Sequence, residues 1–358
     1  MLRLKRRRAA DPDIAEGEKP EPASPPRPTI GLALGGGAAR GLAHIGVLRA
    51  LTRAGYEPDI IAGTSIGALV GGLYAAGRFD TLADWALSLK RRDVISLVDI
   101  AISGGGLMGG SRVAQLLERE VGETRIEDLP IAFAAVATEI GTGHEIWLTR
   151  GRLMTALRAS YALPGILPPV RIGGRWLMDG ALSNPVPVSV TRALGARMVI
   201  AVSLNADALG RATVIQDHGT SPEDEEMPLV ERRPRVRAVV NLGKGIGRGI
   251  GRGLGRGLGR ALRRSYPDDM PQSGTIDPRI AIARSPGIPT VMAKAFNASQ
   301  ERIARTRLAG DPPNVLIGPR LSRLGLFEFH RAADAIALGE EATERLLPDI
   351  AEAIKAVA

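Results

Sequence analysis

A serine between two glycines, in Gly63-Thr64-Ser65-Ile66-Gly67, narrows the folds open to this chain more than any other stretch. Upstream, Asp59-Ile60-Ile61-Ala62 has the apolar character of a strand end. Downstream, Ala68-Leu69-Val70-Gly71-Gly72-Leu73-Tyr74-Ala75-Ala76 is apolar and rich in small residues, as a buried helix is. A strand, a turn with little room for side chains and a helix together make an elbow. Such an elbow lifts a serine hydroxyl to the top of a sheet and aims a helix N-terminus at it. Small residues also fill turns for steric reasons alone, so Ser65 becomes a candidate nucleophile only in this context.

The same alternation recurs along the chain. Residues 29–34 read as a short buried strand, followed by a glycine turn and a helix over about 39–54. Further strands are expected at 131–138, with a hairpin partner at 145–148, and at 197–204 and 314–317. Helices are expected over 154–162, 291–309 and, closing the chain, 340–357. Strands separated by helices favour an α/β fold with a mostly parallel sheet covered on both faces. Aromatic residues make up only 3% of the chain, so its core has to be built from Ala, Val, Ile and Leu.

Composition removes several chemistries. There is no cysteine, which excludes disulfides, thiolate metal sites and cysteine nucleophiles. His44, His144, His218 and His330 are scattered without metal-ligand spacing, and neither metal nor cofactor is expected. Residues 1–28 hold six prolines and many charges, and read as a disordered leader rather than a secretion signal. No run reaches the roughly 18 apolar residues of a membrane-spanning helix. A cytoplasmic protein is expected, with any membrane contact peripheral and at the inner face.

The net charge of +9 is unevenly spread. An insert at about 206–285 interrupts the globular pattern. Its residues 212–231 carry six acids and no Lys or Arg, and 232–264 carry eleven Lys plus Arg and no acid. The basic part repeats Gly-Ile/Leu-Gly-Arg from Gly245 to Arg260. In a helix, Ile246, Ile250, Leu254 and Leu258 would line one face with arginines opposite, suited to anionic lipid headgroups. The glycines oppose that helix by about 1 kcal/mol each. A membrane contact through 243–264 and a low-complexity insert without a role both remain open. No aromatic interleaves the arginines, so no specific nucleic-acid readout is expected.

Gly35-Gly36-Gly37-Ala38-Ala39-Arg40-Gly41 follows the first strand directly and opens a helix. Backbone N–H groups in such a turn converge on an anion, either the oxyanion of an acyl intermediate or a phosphate. A phosphate loop would end in Gly-Lys-Ser/Thr, and a dinucleotide turn would place a third glycine where Arg40 stands. An acid does lie about 20 residues on, at Glu57 or Asp59. Nucleotide binding by an oxidoreductase, and a tight turn without a ligand, therefore stay as alternatives. Arg40 would supply charge beside an oxyanion or pair with a surface acid.

A serine nucleophile needs a base. His44 lies one helical turn inside the helix after the glycine turn and is read as structural. Asp179, in Asp179-Gly180-Ala181-Leu182-Ser183-Asn184-Pro185, is the better candidate, although Asp-Gly is also an ordinary turn.

Together these residues resemble the patatin-like phospholipase family, in its bacterial branch related to the neuropathy target esterase catalytic domain. Gly36 to Gly41 is similar to the family's glycine-rich oxyanion motif, Gly63 to Gly67 to its serine motif, and Asp179-Gly180-Ala181 to its aspartate motif. The segment from Ala159 to Val170 and the tail Leu324-Gly325-Leu326-Phe327-Glu328-Phe329 resemble further family segments. The resemblance covers about 29–205 and 286–358. It implies a three-layer α/β/α sandwich and a Ser–Asp dyad, Ser65 and Asp179, hydrolysing lipid acyl esters of the phospholipid or lysophospholipid class. It also implies an oxyanion hole around Gly36, Gly37, Ala38 and Ile66, with Arg40, Gly63, Gly67 and Gly180 in support. Ala38 departs from the glycine many members carry, and a left-handed backbone there would be strained by about 1 kcal/mol or more. A non-catalytic membrane-surface adaptor is the remaining alternative, against which the presence of both Ser65 and Asp179 speaks.

Overall fold

The computed structural model describes residues 27–91, 111–205 and 288–358. The leader up to residue 26 and the whole insert at about 206–285, with its Gly/Arg repeat at 243–264, lie outside the described residues. Arg27 makes a two-pronged ion pair with Asp59, at 2.7 and 2.8 Å.

One eight-stranded sheet organises the molecule. Its strands are β1 (Ile30–Leu34), β2 (Ile60–Thr64), β3 (Ala132–Glu139), β4 (Glu145–Leu148), β5 (Val170–Ile172), β6 (Arg175–Asp179), β7 (Met198–Val202) and β8 (Val315–Ile317). Strands β8, β7, β1, β2 and β3 are mutually parallel neighbours, and β4, β5 and β6 join antiparallel. The central strands are short, apolar and buried along their length, as parallel strands covered on both faces are.

Alternation along the strands divides them between two cores. Leu32, Leu34, Ile61, Phe133, Ile200 and Val202 face the larger one. It is closed by α1 (Ala43–Arg53), α2 (Ile66–Ala75), α3 (Phe79–Ser88), α4 (Ser111–Val121), α5 (Leu153–Ser160), α8 (Ala332–Glu344) and α9 (Leu347–Val357). Ala33, Ala62, Ala134, Val136, Val199 and Ala201 face the other side, under α6 (Val188–Ala193) and the end of α7 (Ile288–Gly310). The molecule is thus an α/β/α sandwich with bulky side chains on one sheet face and small ones on the other. Among the described residues Phe133 is the one aromatic in the buried hydrophobic set, so the core there is aliphatic, as composition led one to expect.

Two expected helices are subdivided. The first begins as a 3-10 turn, Ala38–Leu42, before α1. The closing segment breaks into α8 and α9 near Leu346, where Pro348 in the first turn of α9 starts a new helix.

The register around β3 decides where the site forms. Ala135 and Val136 pair with β2 and also with β4, so those strands flank β3 on opposite edges. Ala137 and Thr138 pair with β4 and also with β6, so β6 shares the edge used by β2. Strand β2 ends at Thr64, opposite Val136, and β6 arrives from the other direction to end at Asp179, opposite Ala137. The two strands meet head to head, and the residues at their tips are neighbours in space.

Candidate active site

Ser65 is the residue at the first of those tips. Its backbone is left-handed, with φ 57° and ψ −122°, a conformation that costs a non-glycine residue roughly 1–3 kcal/mol and that the surrounding structure must enforce. Several bonds do so. Its N–H donates to Ser160 Oγ at 2.9 Å, and Ser160 in turn donates to the Val136 carbonyl at 2.6 Å. The hydroxyl of Thr64 donates to the Asn184 carbonyl at 2.7 Å. A side chain on Gly63 would run into the backbone of Ala68, and one on Gly67 into the carbonyls of Leu34 and Gly35. The glycines of the serine motif are therefore demanded by close packing between β1, β2 and α2. In the sequence Ser160 is one small residue of the segment from Ala159 to Val170. Its role depends on a bond between chain segments that no local pattern announces.

Asp179 is the residue at the second tip, 1% exposed. Its N–H donates to the Ala162 carbonyl at 3.0 Å and its carbonyl accepts from Thr138 Oγ1 at 2.9 Å. Its Oδ1 accepts the N–H of Ala181 at 2.8 Å, and its Oδ2 accepts the hydroxyl proton of Ser65 at 2.6 Å. Gly180 is required by the Val136 carbonyl, against which it packs. No cation pairs with this carboxylate among the described residues. Burial accordingly pushes its pKa up from 3.8 to about 6, and the bonds from Ser65 and Ala181 only partly oppose the rise.

The glycine turn closes over this pair. Gly35 N–H donates to the Val202 carbonyl at 3.0 Å and Ala39 N–H to that of Leu326 at 2.9 Å. Between them the amides of Gly37 and Ala38 have no partner among the described residues and border the same cavity as Ser65. Ile66 adds a first-turn amide of α2, which has no intrahelical acceptor. Gly36 departs from the expected oxyanion set. Its N–H donates to the Pro185 carbonyl at 2.9 Å, which ties the turn to the loop after Asp179. Ala38 has φ 50°, so the strain anticipated for a side chain at this position is present.

Arg40 acts at a distance from the reacting groups. It donates to the Leu324 carbonyl at 2.8 Å and to Asn205 Oδ1 at 3.1 Å, fastening the tail to the turn. His44 is fully buried, and its Nε2 donates to the Gly35 carbonyl at 2.7 Å. Burial pushes its pKa down from 6.5 to about 4 against the pull of that bond, so the ring is a neutral brace for the turn.

Ser65 and Asp179 open into a cavity of about 130 Å³ with a mostly apolar lining. The chain has three Trp, four Tyr and five Phe, and Trp85, Tyr161, Phe296, Phe327 and Phe329 are among the lining residues. The apolar wall suits a hydrocarbon chain, and the buried hydroxyl–carboxylate pair suits acyl transfer.

A dinucleotide fits poorly. Its acidic partner would have to stand near the glycine turn, at the C-terminal end of the sheet. Asp59 instead sits at the foot of β2, bonded to Ile30 N–H at 2.8 Å and paired with Arg27. Among the described residues no helix is long and apolar enough to cross a membrane.

Comparison with known proteins points to one family. The family model for patatin-like phospholipases matches residues 32–192. An uncharacterized NTE family protein of Mycobacterium tuberculosis, Rv1063c, is 39% identical over 325 residues, spanning 87% of this chain and 89% of that protein. Patatin-like phospholipase domain-containing protein ZK370.4 of Caenorhabditis elegans is 40% identical over 54% of this chain and 14% of its own length. Mouse patatin-like phospholipase domain-containing protein 6 is 37% identical over 50% of this chain and 14% of its own length. With its α/β/α sandwich and its likeness to Rv1063c over nearly the whole length of both chains, this chain belongs to the patatin-like phospholipase family, among its NTE-type members.

Proposed function

We propose that this protein is a serine acyl hydrolase that cleaves carboxylic esters of phospholipids or lysophospholipids through an acyl-enzyme. The 2.6 Å bond from Ser65 Oγ to a carboxylate buried without a cation carries this reading. Ser65 Oγ attacks the ester carbonyl while its proton passes to Asp179 Oδ2. The carbonyl electron pair moves onto oxygen, where the amides of Gly37 and Ala38, with Ile66 at the helix start, stabilise it. Collapse breaks the bond to the alcohol, which leaves with the proton held by Asp179. Water then attacks the acyl-enzyme, giving one proton to Asp179, and a second collapse returns that proton to Ser65 and frees the fatty acid. A carboxylate of pKa about 6 is a better base than ordinary aspartate yet is mostly ionised at neutral pH.

Family membership and the apolar cavity support lipid esters as the substrate class. The basic repeat at 243–264 supplies charge for contact with an anionic membrane, and deleting it should weaken binding to anionic vesicles. The direct test of the chemistry is a fluorophosphonate with the purified protein. It should label Ser65, and the protein should hydrolyse a p-nitrophenyl ester and phospholipid in vesicles. Ser65→Ala should lower both hydrolyses by roughly 10³-fold or more. An unlabelled Ser65, or a Ser65→Ala protein that still turns over, would contradict the proposal.

A further inference from the structure

Every fourth residue of α7 from Met292 to Leu308 lies on one row of the helix: Met292, Phe296, Gln300, Ala304 and Leu308. The row runs from solvent to core. Met292 is half exposed, Phe296 lines the cavity, and Ala304 and Leu308 are buried under the second sheet face. Gln300 is its one polar member. It is 2% exposed and borders the cavity together with Ser65 and Asp179. Burying an amide is unfavourable unless its donors and acceptors are used. Gln300 Nε2 donates to Asn297 Oδ1 at 3.2 Å, but Oε1 has no partner among the described residues. That oxygen lies 3.6 Å from the point where a side chain on Gly36 would begin. The same point is 3.5 Å from Ser65 Cβ and 3.3 Å from Ala181 Cβ. An unused acceptor therefore shares the space over Gly36 with the serine and with the residue whose N–H holds Asp179.

We infer that Gln300 holds the water that attacks the acyl-enzyme, a role that rests on the serine-hydrolase reading above. Attack needs one base, and a second acceptor fixes the orientation of the water. Asp179 Oδ2 takes one of its protons as the water oxygen bonds to the acyl carbon. Gln300 Oε1 accepts a hydrogen bond from the other O–H, which leaves an oxygen lone pair aimed at the carbonyl. The carbonyl electron pair moves to the oxyanion. Collapse breaks the acyl–Oγ bond, the proton on Asp179 returns to Ser65 Oγ, and the carboxylic acid departs. Formation of the acyl-enzyme uses no water, so the two half-reactions separate this role from a structural one.

Rapid mixing of enzyme with a p-nitrophenyl ester reads both halves. Gln300→Met keeps the length of the side chain and removes the acceptor. It should give a stoichiometric burst of p-nitrophenol at the wild-type rate, then turnover slowed about ten-fold or more. The acyl group should accumulate on Ser65 by intact mass. Should Gln300→Met not fold, Gln300→Asn withdraws the acceptor by one methylene and is expected to give the same split. Wild-type turnover in the Met or Asn variant, or burst and turnover falling together, overturns the role. Fluorophosphonate labelling of each protein distinguishes the two failures. An unlabelled wild type overturns the hydrolase reading itself, whereas labelled variants with wild-type turnover overturn only the part given to Gln300.

Discussion

Two aspartates stand at opposite ends of the sheet in contrasting surroundings. Asp59, at the foot of β2, accepts both prongs of Arg27 and the N–H of Ile30, and its side chain is 33% exposed. Asp179, at the head of β6, is buried, and its carboxylate has one hydroxyl, from Ser65, and one backbone N–H, from Ala181, in place of a cation. Asp59 closes the end of a strand, and water with a guanidinium satisfies its charge. Asp179 keeps its charge with far less help. Burial without a cation makes a carboxylate a stronger base and at the same time a burden on the fold. With its pKa raised from 3.8 to about 6, that burden is on the order of 3 kcal/mol at neutral pH.

The largest effect expected from this contrast is in the pH dependence of turnover. Protonated Asp179 cannot accept the Ser65 proton. The kcat/KM of ester hydrolysis should therefore rise about ten-fold per pH unit up to a midpoint near 6 and level off above it. A profile flat down to pH 4 would mean that Asp179 is no more basic than an exposed aspartate, and the contrast would fail.

His44 sharpens the comparison, because it is a buried titratable group of the opposite sign. Its folded pKa is depressed, so the stability of its neutral form is complete above 6.5 and is lost as pH falls from 6.5 towards about 4. The pKa of Asp179 is raised, so its contribution is complete below 3.8 and is lost as pH rises through about 6. His44→Leu removes the bond to Gly35 and should lower unfolding stability at pH 7 by about 1–3 kcal/mol. Denaturant titration should show that deficit shrinking at pH 5, where the wild type itself loses stability through His44. An unchanged deficit at pH 5 would remove His44 from the account of acid sensitivity.

Arg27→Ala gives the smallest expected effect. Its guanidinium is largely exposed, so the loss should be within about 1 kcal/mol and shrink with added salt. Ester turnover should stay at the wild-type level. Turnover that dropped with this variant would show the two ends of the sheet to be coupled.

Different parts of the molecule were legible in the sequence for different reasons. The central strands announce themselves as short apolar runs between glycines, and the elbow at Ser65 follows from steric demands within five residues. The meeting of Ser65 with Asp179 does not follow from spacing. It requires β6 to land on β3 one register step beyond β2, and the sequence pattern predicts no strand at β5 or β6. Ser160 and Gln300 escape a reading of the sequence because each meets the site from a segment far away in the chain. The commitment of the Gly36 amide to Pro185 is likewise a long-range bond, invisible in a glycine-rich motif read by itself. For Gln300 a faint signal existed, as the one polar residue in an apolar four-residue row.

Asp179→Asn probes the link between base strength and stability most directly. The substitution keeps the shape of the side chain, removes the buried charge and leaves nothing able to take the Ser65 proton. At pH 7 it should abolish ester hydrolysis and raise the melting temperature by several degrees, with the stability gain shrinking as pH falls from about 6 and gone near 3.8. Hydrolysis retained at the wild-type level in this variant would contradict the assignment of Asp179 as the base, whatever its effect on melting.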